Sequence, residues 1–193
     1  CCALFEECSA RGDPDGAAAA VVAAISAIWT EGRDFSAFAP WVARANALLS
    51  ASAALHPIAR AALAQHRLIA GLLSDVPPDA LLAELPGLRK ETDESRSNAL
   101  RVQGAAIEGW LHVVSGDLHR AEECVRDVLP LAQAKTPPLI PCLYLATCAA
   151  LIDAVGGTSN GARALLEQLL DEARASALPI GPTLFAQANR LLL

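Results

Sequence analysis

The sequence predicts an all-α protein, an α-α superhelix of about four helical hairpins with partial units at both ends. Three observations predict it. Ala39, Ala80, Ala121 and Ala162 stand 41 residues apart, and Ala23, Ala64, Ala105 and Ala146 keep the same step in fixed phase. Turn-forming pairs repeat in register between them: Arg33-Asp34, Ser74-Asp75, Ser115-Gly116 and Gly156-Gly157. The composition is rich in Ala and Leu, both strong helix formers, with 53% hydrophobic, 4% aromatic and 19% charged residues. A fixed period of this length marks a repeat array, in which each hairpin buries its apolar face against the next.

The elements follow in order. Residues 1–11 read as the tail of an earlier helix ended by Gly12. Asp13 caps the next helix and Pro14 sits at its first position, where a missing N–H costs nothing. The first hairpin spans 14–49, with Pro40 in the first turn of its second helix. The second spans 56–89, and Pro86-Gly87 shortens or breaks its second helix. The mixed-sign run from Arg89 to Glu94 reads as a solvated connection. The third hairpin spans 96–133, with Pro130 kinking or ending its second helix. The fourth spans 138–176, and an end helix spans 182–193 after Gly181-Pro182.

Within the first helix of each hairpin, the column after Ala23 holds Ala27, Leu68, Gly109 and Ala150, one turn further on the same face. The neighbouring columns, Ile28, Ile69, Trp110, Leu151 and Trp29, Ala70, Leu111, Ile152, are apolar throughout. Stripes this wide belong to helices packed on more than one side.

Composition excludes several function classes. The net charge is −6 and no basic block occurs, which argues against direct nucleic-acid contact. The apolar stretches 17–28 and 137–152 are too short, or too broken by proline, to span a bilayer. Six cysteines without zinc-type spacing read as buried free thiols in a reducing cytoplasm. No metal or cofactor is expected, and no catalytic residue. His56, His66, His112 and His119 lie in no catalytic motif and read as helix-end or surface residues, although His112 follows Glu108 by one turn. Gly156-Gly157-Thr158-Ser159-Asn160-Gly161 lacks the lysine of a phosphate loop and reads as a hairpin turn. The absence of methionine, even at position 1, reads as a fragment or processed form of a longer protein.

The segment 110–122, with Gly109, the Gly116-Asp117 turn and Ala121, resembles the tetratricopeptide (TPR) pattern. It departs from that pattern in having Ala105 and Glu108 where an aromatic residue and a leucine are usual, in lacking the proline between repeats, and in its longer period. Longer hairpins of this kind, together with the segment 34–42, look like the superhelical domains of bacterial LuxR-type regulators such as the maltotriose-responsive activator. The resemblance implies a non-enzymatic sensor or docking module whose partner is a protein, a peptide or a small-molecule inducer. It also implies a concave face formed by the first helices, which carries Glu31, Gln65, Ile69, Gln103, Trp110, Val113, Tyr144, Thr147 and Leu151. The alternative is a structural scaffold that self-associates into a homo-oligomer through helical faces.

Overall fold

A computed structural model describes residues 1–31, 34–51, 54–74, 76–132 and 139–155. The expected turn at 156–157, Ala162, the helix 159–176 and the end helix 182–193 lie outside these residues. Among the described residues the protein is helical without strands: α1 (Cys2–Ala10), α2 (Pro14–Glu31), a 3-10 turn (Phe35–Phe38), α3 (Ala39–Ala51), α4 (Pro57–Leu72), α5 (Pro78–Leu82), α6 (Leu85–Ser95), α7 (Asn98–Ser115), α8 (Leu118–Ala132) and α9 (Leu139–Ala154). The chain divides into two compact units, Cys1–Ser97 and Asn98–Leu193.

In the first unit α2 packs on α1, α3 and α4, and α4 packs on α3, α5 and α6. Gly12, at φ +66°, ends α1 in the left-handed region, and the Asp13 side chain accepts from Gly16 N at 2.9 Å to open α2. Asp34 accepts from Ser36 N at 2.9 Å and so starts the turn that leads into α3. The Arg44 guanidinium lies 4.8 Å from the Phe5 ring and 4.4 Å from the Trp41 ring, which joins α1 to α3 by cation–π contact. Pro57 opens α4, where His56 Nδ1 accepts from Ile58 N at 3.2 Å and His56 N donates to Asp15 Oδ1 at 2.9 Å.

In the second unit α7 packs on both α8 and α9, and α8 also packs on α9. The α7–α8 turn repeats the geometry of the α1–α2 turn. Gly116 has φ +84°, Asp117 N donates to His112 O at 2.9 Å, and Asp117 Oδ1 accepts from Arg120 N at 3.1 Å. The counterpart of that first bond is Asp13 N donating to Cys8 O at 2.9 Å.

Burial carries the 41-residue phase through α2, α4, α7 and α9. Ala20, Ala61, Val102 and Leu143 are all buried, as are Ala24, Gln65, Ala106 and Thr147. The same holds for Ile25, His66, Ile107 and Cys148, and for Trp29, Ala70, Leu111 and Ile152. These positions span about half the helical circumference, which matches helices packed on more than one side.

The second helices do not keep that phase. Buried Leu85, Leu88, Thr92 and Ser95 of α6 lie 36 or 37 residues before buried Ala121, Val125, Val128 and Ala132 of α8. The short α5 and the break at Ala83–Glu84 account for the slip. Ala80 is therefore exposed while Ala121 is buried, and Ala39, at the start of α3, is exposed as well, so the alanine ladder does not mark one environment. Leucine at position 121 should destabilise by about 1–3 kcal/mol through overpacking, against less than about 0.5 kcal/mol at position 80. Chemical denaturation of the two variants checks this contrast.

Two boundary expectations are corrected. The helix break precedes Pro86-Gly87, and Pro86 instead occupies the first turn of α6, where its missing N–H is harmless. The run Arg89–Glu94 is not a connection but the body of α6, with Thr92 buried and Glu91 paired with Arg60. Pro130 lies in the last turn of α8, which ends at Ala132. No helix among the described residues is long and apolar enough to cross a membrane.

Candidate functional site

A cleft of about 350 Å³ opens between α4 and α6. Its apolar lining comes from Leu49, Ala64, Leu68 and Leu88. Two ion pairs border it, Arg60 with Glu91 (Nε to Oε2, 3.5 Å) and Arg67 with Glu84. Arg60 and Arg67 are seven residues apart on α4, as are Glu84 and Glu91 on α6, so each pair recurs after two turns on the same face. Burial lowers the Arg67 guanidinium from its ordinary value, and its Nε–H meets no acceptor among the described residues. Gly87 also lines the cleft, and a Cβ there would meet nothing within 4 Å among the described residues. The wall is thus apolar and carries both charges.

The residues expected on a concave face have other surroundings. Glu31 is exposed at the end of α2, and Trp110, Val113 and Leu151 are half-buried. Gln65, Ile69, Gln103, Tyr144 and Thr147 are buried. Gln65 Nε2 donates to Thr92 Oγ1 at 3.1 Å, linking α4 to α6, and Thr147 Oγ1 donates to Leu143 O at 2.7 Å within α9. Trp110 and Tyr144 meet edge to face at 6.4 Å and join α7 to α9. These five side chains are thus buried within the helical packing rather than exposed on a surface.

His66 departs from the expected helix-end or surface role, whereas His112 lies in the last turn of α7. His66 is buried, with Nδ1 2.7 Å from Ala62 O, and desolvation lowers its pKa. The unfolded chain therefore binds this proton more readily, and the His66 contribution to stability is lost as pH falls below about 6.5. Replacing His66 with leucine should flatten that acid limb, by up to about 1.4 kcal/mol per pH unit. Urea midpoints on either side of pH 6.5 test it.

His112 is the second buried histidine. Its Nε2 lies 3.6 Å from Glu108 Oε1 and has no hydrogen-bond partner among the described residues. Ligand atoms of Glu108, His112 and Cys124 all lie within 4.8 Å of one another. The Glu108–His112 spacing is visible in the sequence, but Cys124 comes from α8 and joins them only through packing. Of the remaining thiols, Cys142 and Cys148 are buried as expected, Cys8 is half-buried, and Cys1 and Cys2 are exposed. Burial pushes the Cys148 thiol up, and neighbouring Cys124 adds to the shift.

Comparison of the chain with protein-family models, curated proteins and solved structures finds no match.

Proposed function

We propose that this chain is a non-catalytic binding module of helical hairpins that serves as the sensor or docking part of a larger bacterial regulator. The observation that carries this reading is the α4–α6 cleft, with its apolar lining and two Arg–Glu borders. That combination suits a peptide segment, with one apolar side chain entering the cleft. Charged residues flanking the apolar one would exchange with the two ion pairs. The hairpin around Gly116-Asp117 supports the TPR-like part of the reading. Occupancy would favour one separation of α4 and α6 over others, and so bias the geometry of whatever the module is joined to.

Gly87→Leu tests the cleft. Its side chain has room, its backbone is helical, and leucine is the better helix former by roughly 0.8 kcal/mol. The variant should fold at least as well as wild type while losing the site. Short random peptides selected on the wild-type chain are expected to bind Gly87→Leu at least tenfold more weakly, a loss of about 1.4 kcal/mol. Equal affinity for both chains would remove the cleft as the site.

A further inference from the structure

We propose that Glu108, His112 and Cys124 bind one divalent transition-metal ion of the zinc class, which ties α7 to α8. Glu108 and His112 are one turn apart on α7, and Cys124 faces them from α8. Glu108 and His112 are each only 7% exposed, and for the imidazole this is an expensive placement unless its ring nitrogens are engaged. His112 Nε2 has no hydrogen-bond partner among the described residues, and its 3.6 Å distance from Glu108 Oε1 is too long for one. Two donors on a tetrahedral zinc ion stand roughly 3.3–3.6 Å apart, given bond lengths of about 2.0–2.3 Å. The present separation is therefore already near that of two ligands to one ion.

The donor set selects the metal class. A carboxylate oxygen, an imidazole nitrogen and a thiolate sulfur suit zinc and cobalt, whereas magnesium and calcium prefer oxygen alone. Three protein ligands leave a fourth tetrahedral position for water or another donor. On binding, the Cys124 thiol loses its proton to solvent as the sulfur–metal bond forms, and Glu108 and His112 enter as carboxylate and neutral imidazole. No electron is transferred.

The test uses the full chain with Cys1→Ser, Cys2→Ser and Cys8→Ser, since these thiols of the first unit are not fully buried and would chelate metal themselves. Cobalt(II) is the visible probe, followed by competition with zinc. One equivalent should bind with sulfur-to-cobalt charge-transfer absorption that zinc abolishes. Cys124→Ser should lose the absorption, and His112→Asn should weaken zinc binding about a hundredfold or more. Cys142→Ala, a thiol outside the cluster, should change neither. The proposal is overturned by lack of stoichiometric uptake, or by unchanged absorption in Cys124→Ser. Should His112→Asn fail to fold, Cys124→Ser alone decides, because it preserves size and leaves the α7 pair in place.

Discussion

Replacing Trp29 with alanine should lower the stability of the protein by about 3–5 kcal/mol. Trp29 is 2% exposed and belongs to the column whose other members, Ala70, Leu111 and Ile152, are also buried. Its removal deletes the largest side chain of that column and leaves a cavity that α2 cannot easily close, because α1, α3 and α4 all pack on that helix. A loss of this size is a large share of the roughly 5–15 kcal/mol that separates a folded domain from its unfolded chain. Urea denaturation followed by circular dichroism measures it. The matched control is Ala23→Ser on the same helix, at an exposed position, which should stay within about 0.5 kcal/mol of wild type. Similar losses from both variants would mean that the column does not mark the packed side of α2.

Gly109→Ala should destabilise the protein by about 1–3 kcal/mol, although alanine is the better helix former by roughly 1 kcal/mol. A Cβ at position 109 would stand 2.7 Å from Cys148 Sγ, 3.7 Å from Ala121 O and 3.8 Å from Cys124 Cβ. The first contact is shorter than real side chains tolerate. Cys148 is a short side chain with a single rotatable bond to its sulfur, and it is fully buried, so it has no open space into which to turn. Steric cost therefore exceeds the gain in helix propensity. Combining Gly109→Ala with Cys148→Ala should recover most of the loss, and the size of the recovery measures the contact directly. A more stable Gly109→Ala single variant would show that the close approach does not limit packing.

Much of the fold was legible in the chain. The start of α2 follows from proline at the first helical position, with capping by Asp13. The Gly116-Asp117 turn follows from the one residue that enters the left-handed region at little cost. The break before α6 was less legible, because Pro86 is compatible with either the end or the first turn of a helix. The cleft was not legible at all. It depends on Glu84 and Glu91 meeting Arg60 and Arg67 across two helices, and nothing local in either segment specifies that meeting.

The sequence by itself determined the helical class, most helix starts, and the 41-residue phase of α2, α4, α7 and α9. The helical class and the helix starts arise from interactions within a few turns of one helix, and the 41-residue phase is a spacing that a linear pattern records. Only the tertiary structure decided which columns are interior, that Gln65 and His66 are buried, and that Cys124 joins Glu108 and His112. Those outcomes depend on how distant helices cross. A slip of about five residues in a second helix changes which side chains meet while leaving the pattern of each helix intact.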